Sequence, residues 1–179
     1  MRCDTVRLLA AACLLVGCAS NPDVPPESPA EIAGHPPLTD ELLDRLVGTW
    51  HIDRAIRGTH VENRMTAAWR LGHQFIEMHM IDTASPPAYE AIVLIGRDDE
   101  KRRYVAHWCD AFGAEYSAVG HGTRAGDRIE FRFDYESGPF FNTFSYDRAG
   151  DTWQFRGEAG GQNGERTPFA LDHATRRGP

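Results

Sequence analysis

The feature that most limits the fold is a two-residue alternation of apolar and charged side chains that recurs along the chain. Ile129, Phe131, Phe133 and Tyr135 alternate with Arg128, Glu130, Arg132 and Asp134. Trp153 and Phe155 alternate with Gln154 and Arg156, and Ile76, Met78 and Met80 with Glu77, His79 and Ile81. A period of two sends one set of side chains to one face of an extended chain, so each run reads as a strand with one covered face. Turn signals punctuate the runs: Arg57-Gly58, Leu71-Gly72, Ser85-Pro86-Pro87, Gly96 to Glu100, Ser137-Gly138-Pro139 and Gly160 to Gly164. The spacing predicts about ten strands, at 48–56, 60–70, 74–82, 89–96, 103–111, 115–122, 128–135, 140–147, 152–158 and 166–173. Sequential strands without intervening helices form an antiparallel meander. The simplest way to remove its edges is closure into an up-and-down barrel, so the expected class is all-β. Ile129, Phe131, Phe133, Trp153 and Phe155 are expected to face the interior. Arg124-Ala125-Gly126-Asp127 recurs as Arg148-Ala149-Gly150-Asp151, which predicts one hairpin turn used twice, with Gly supplying the positive φ. A calcium loop is the rival for these Asp residues, but it lacks the further spaced acids.

One short helix precedes the strands. Thr39 can cap it, Asp40 and Glu41 suit its first turn, and Leu42, Leu43, Leu46 and Val47 give it an apolar face before Gly48.

The N-terminus carries a different kind of information. Arg2 and Arg7 precede an apolar run from Leu8 to Val16, followed by Leu15-Val16-Gly17-Cys18. The layout is that of a secretory signal, and the run is too short for a spanning helix, which needs roughly 20 residues. The last four residues resemble a bacterial lipobox. That resemblance implies cleavage before Cys18 and a fatty-acylated, palmitate-type cysteine carrying several chains, which hold a protein firmly where one chain does not. A plain secretory signal with an incidental Cys18 is the alternative. Ala19, rather than Asp, follows the cysteine and leans toward the outer membrane, facing the periplasm. The expected organisation is signal 1–17, lipidated cysteine and tether 18–38, and barrel 39–177. Six prolines fall within 19–37, and Pro-rich chain at ~3.1 Å per residue reaches roughly 50 Å.

Loss of the signal removes Cys3 and Cys13, and lipid consumes Cys18, which leaves Cys109 alone in the domain. No intramolecular disulfide is then possible, so stability rests on the core. The formal charge of −7 becomes −8 once Arg2, Asp4 and Arg7, together +1, are removed. That acidity speaks against nucleic acid as a partner.

Further residues resemble a family. Leu46-Val47-Gly48-Thr49-Trp50 after a short helix is similar to the Gly-x-Trp start of the first strand in lipocalin-like, calycin-type barrels. Gly96 to Asp98, Lys101 to Tyr104 and Trp108-x-Asp110 resemble a bacterial lipocalin-like family of unknown function. Its members carry a Gly-Tyr-Asp turn and then a Tyr…Trp-x-Asp strand; here Arg97 replaces the Tyr of the turn. The ending Thr175-Arg176 is similar to their Tyr-Thr-Arg. The resemblance covers about residues 42–177. It implies a barrel, with Trp50 closing one end and Arg176, or Arg177, stacked on it, and it implies no activity.

Candidate binding residues follow from face sharing. Tyr104, Ala106, Trp108 and Asp110 share one face, and Tyr116, Ala118 and Gly120 share a face of the next strand. Pointed inward, Tyr104, Trp108, Asp110 and Tyr116 line a pocket for a small apolar ligand. The alternative is an ordinary filled core, and with it an envelope interaction or structural module. Which face is interior around Cys109 stays open. His107 and Cys109 share a face, and His79, His121 and the late His173 raise haem or zinc, but no tight ligand spacing occurs, so no metal and no cofactor is expected. Glu77 with His79, or Asp110 with Tyr116, are the available acid–base pairs, and no catalytic residue stands out. Cys18→Ser is expected to leave the protein soluble or unprocessed. Membrane fractionation after a salt wash checks this, and continued sedimentation contradicts the anchor.

Overall fold

The computed structural model describes residues 36–161 and 163–178. The expected signal, Cys18 and most of the tether lie outside these residues. The alternation closes into a ten-stranded antiparallel barrel. A short helix α1 (Glu41–Asp44) precedes β1 (Gly48–Ile56), β2 (Thr59–Arg70), β3 (Phe75–Asp82), β4 (Glu90–Asp98) and β5 (Arg103–Asp110). Then follow β6 (Ala118–Ala125), β7 (Arg128–Tyr135), β8 (Gly138–Asp147), β9 (Thr152–Gly160) and β10 (Arg166–Arg176). Each strand pairs with its sequence neighbours, and β10 returns to β1 with Trp50 opposite Arg176 and Arg54 opposite Asp172. Closure leaves no strand edge unpaired.

Period two decides the interior. Ile129, Phe131, Phe133, Trp153 and Phe155 are all buried, as the pattern predicts. So are Ile76, Met78 and Met80. On β5 the even positions Tyr104 and Ala106 are buried while His107 and Cys109 are exposed, which settles the face around the free thiol. Small residues opposite the rings make the packing possible. Gly120 pairs with Phe133 and Gly122 with Phe131, and a Cβ on either would meet the ring at 2.6 Å. The rings therefore lie flat across β6, and Phe131 makes an edge contact with Phe144 at 5.4 Å.

Four local expectations need correction. The helix is capped by Asp40, not Thr39: Asp40 has extended backbone and its carboxylate accepts from Leu42 N and Leu43 N. Strand β6 begins at Ala118, so Tyr116 is not a strand residue. Gly113 at φ +96 breaks the extended chain after β5, and a 3-10 turn Ala114–Tyr116 follows. The last strand continues to Arg176 because β1 offers partners that far. Pro168 lacks an N–H, and the ladder with β9 shifts register between Pro168 and Ala170. Finally, the repeated Arg-Ala-Gly-Asp segments are not one turn. Gly126 takes φ +61 between β6 and β7, but in the second copy Asp151 takes the positive φ, at +49, and the loop is longer.

Phe131→Ala removes a fully buried ring that its neighbours cannot replace. It is expected to cost about 3–5 kcal/mol in urea unfolding; a loss below about 1 kcal/mol contradicts this packing.

Candidate functional site

The hairpins alternate between two ends of the barrel, and the ends differ in chemistry. At one end α1 lies over the opening. Leu42, Leu43 and Leu46 are fully buried there, and burying such side chains contributes about 1.5–3 kcal/mol each. Trp50 donates its indole N–H to the Leu46 carbonyl at 2.7 Å. The Arg176 guanidinium lies 4.2 Å from the Trp50 ring centroid, donates to the carbonyls of Val47 and Arg45, and pairs with Asp151. Gly48 takes φ +136, and a Cβ there would meet Arg176 at 2.5 Å, so only glycine leaves room for the guanidinium. Asp40 is buried; besides capping α1 it accepts from the Tyr104 hydroxyl and from Arg124 at 3.3 Å. Burial, then the hydrogen bond to Asp40, pushes the Tyr104 hydroxyl pKa up. This end is filled.

The other end is a cavity of about 1390 Å³. Met78, Met80, Trp108, Phe133, Phe140 and Phe155 form its apolar walls. Trp108 meets Phe133 edge-on at 6.1 Å. At the mouth Phe112 lies 5.8 Å from Tyr89 and 6.1 Å from Tyr116, and Phe112 and Tyr116 are more than half exposed. Polar groups are few inside. Arg54 and Asp172 line the cavity and meet in two hydrogen bonds of 2.9 and 2.6 Å, with side chains 10% and 4% exposed. Burial alone would lower the Arg54 pKa; the bonds to Asp172 outweigh it, and the net direction is upward. The guanidinium also sits 5.2 Å from the Tyr89 ring centroid. Burial, reinforced by the Asp110 carboxylate, pushes the Tyr89 hydroxyl up to about 12, so it remains a donor, at 3.4 Å, to Asp110. Asp110 also accepts from Phe112 N at 3.0 Å. Asn63 is 1% exposed and lines the cavity, and neither atom of its amide has a hydrogen-bond partner among the described residues.

Of the sequence candidates, the structure brings Trp108, Asp110 and Tyr116 to the cavity. Tyr104 instead sits beneath α1 at the filled end, although it shares a strand face with Trp108. Tyr116 reaches the mouth from its 3-10 turn rather than from a strand. Trp50 and Arg176 lie together at the filled end. Cys18 lies outside the described residues. His107, His121, His173 and Cys109 are exposed on the outer wall, and His79 bonds Glu90 there at 2.6 Å. Glu77 pairs with Arg70. Among the described residues no cluster of three or more His, Cys, Asp or Glu is arranged to hold a metal ion. Sequence reasoning missed Arg54, Asp172, Asn63 and Tyr89. A signal for Arg54 was present: it continues the inward series Trp50, Ile52, Arg54, where an apolar residue is the ordinary choice.

Among solved structures, the chain is similar to Rv2717c from M. tuberculosis, with a TM-score of 0.56 and 14% identity over 79% of this chain and 100% of that one. At that identity the likeness is one of fold. No family model and no curated protein matches the chain.

A buried pair of this kind is costly to break and cheap to replace. Asp172→Ala, which strands the Arg54 charge, is expected to lose about 3–5 kcal/mol of unfolding free energy. The double variant Arg54→Met/Asp172→Leu is expected to lose clearly less, and chemical denaturation of both against wild type checks the difference.

Proposed function

We propose that the chain is a lipid-anchored protein of the bacterial envelope whose lipocalin-like barrel binds or carries a small apolar ligand. The observation that carries the binding half is the cavity of about 1390 Å³ with aromatic and thioether walls. Small-molecule sites are concave, mostly apolar and furnished with a few converging polar groups, and run to about 300–1,000 Å³. An apolar ligand entering such walls gains about 25 cal/mol for each Å² withdrawn from water. The polar groups then orient the ligand. The Arg54–Asp172 pair, Tyr89 and Asp110 set where its polar end can rest.

The anchoring half rests on the lipobox-like Leu15-Val16-Gly17-Cys18 and on the Pro-rich stretch that follows. With Ala19 after the cysteine, the proposed location is the outer membrane, facing the periplasm. The contrasting reading is an envelope scaffold with a filled barrel. The filled end fits either role; the open half favours the ligand.

An apolar fluorescent probe is expected to bind the protein, and Trp108→Ala to weaken that binding at least tenfold. Native mass spectrometry of protein expressed in the periplasm is expected to retain a small molecule. Failure of the probe to bind, with no retained molecule, leaves the scaffold in its place.

A further inference from the structure

The cavity is unevenly charged. Its lining includes six carboxylates, Asp82, Asp110, Glu115, Asp134, Glu136 and Asp172, against two guanidiniums, Arg54 and Arg57. Arg54 is fully engaged by Asp172, inside the barrel. Asp134 is paired with Arg132 on the outer side. That leaves Asp82, Asp110, Glu115 and Glu136 with no Lys or Arg partner among the described residues. Arg57 is the remaining lining cation, and it rests on the Phe169 ring at 4.7 Å. All four belong to the mouth: Asp82 ends β3, Asp110 ends β5, Glu115 lies in the β5–β6 connection and Glu136 in the β7–β8 turn.

Three aromatic rings, Tyr89, Phe112 and Tyr116, stand among these acids. Aromatic faces attract cations through the negative face of the ring. Carboxylates around a low-dielectric opening focus field lines on the same charge sign. Deeper, Asn63, the fifth residue of β2, holds a buried amide with both polar atoms unpartnered among the described residues. A buried amide left without partners is destabilising.

Resting on the binding role above, we propose that the cavity selects cationic amphiphiles, held with the alkyl body between Met78, Met80, Trp108 and Phe155 and an alkylammonium head among the mouth acids and rings. A fatty carboxylate is disfavoured twice. At the mouth its head meets four acids against the single guanidinium of Arg57, and inside it meets a guanidinium already bound in two places by Asp172.

The test compares three probes of equal chain length, octyltrimethylammonium, octanamide and octanoate, binding to the full chain and followed by tryptophan fluorescence and calorimetry. The cation is expected to bind at least tenfold more tightly than octanoate, with octanamide between them. In Asp110→Asn/Glu115→Gln/Glu136→Gln, whose side chains lie at the mouth rather than in the core, the ratio is expected to shrink to about threefold or less. Asp172→Asn, where it folds, is expected to free Arg54 and raise octanoate affinity. Octanoate binding as tightly as the cation, or a ratio unchanged in the triple variant, overturns the charge selection while leaving the apolar cavity standing. If none of the three probes binds and the apolar fluorescent probe fails as well, the binding role itself falls.

Discussion

The barrel depends on one guanidinium at its filled end. Arg176 is the last residue of β10, and it is stacked on Trp50 while donating to the carbonyls of Arg45 and Val47. Those carbonyls follow a helix too short to satisfy its own C-terminal acceptors, so the side chain does what a further turn of helix would do. The same residue joins the last strand to the first through Trp50, and to the β8–β9 turn through Asp151. Gly48 is the space that admits it. The Gly-x-Trp segment and the terminal arginine, far apart in sequence, are therefore one object: a slot, a platform and the cation between them.

A buried carboxylate, Asp40, works from the other side of α1. It caps the helix N-terminus and takes the Tyr104 hydroxyl and the Arg124 guanidinium. Arg97 comes within 3.5 Å of the same carboxylate. With both ends of a four-residue helix bonded to barrel strands, the plug needs little intrinsic helix propensity.

The architecture was legible because a barrel wall separates water from the interior, and such a wall writes itself as alternation. Ile129 to Phe133 and Trp153 to Phe155 carry that signal without exception. Loops carry no such period, which is why Tyr116 was placed on a strand and why two similar tetrapeptides were assigned one turn. The cavity was half legible. Trp108 and Asp110 announce a face, but a strand runs the whole height of the barrel, so face sharing alone cannot separate Tyr104 at the filled end from Trp108 at the open one. The Arg54–Asp172 pair was hidden for a different reason. Each is one charge among others in its strand, and only the closing register of β1 on β10 shows that they are opposite one another.

The separation of the two ends bears on how such a chain can change over time. Each mouth segment comes from a different hairpin, and none takes part in the Arg176 or Asp40 contacts. Substitution, lengthening or wholesale exchange of one rim loop therefore leaves the anchoring bonds at the far end in place. Lineages that inherit this barrel are free to drift in appetite while conserving its base, and a protein engineer is free to graft new rims onto it one hairpin at a time.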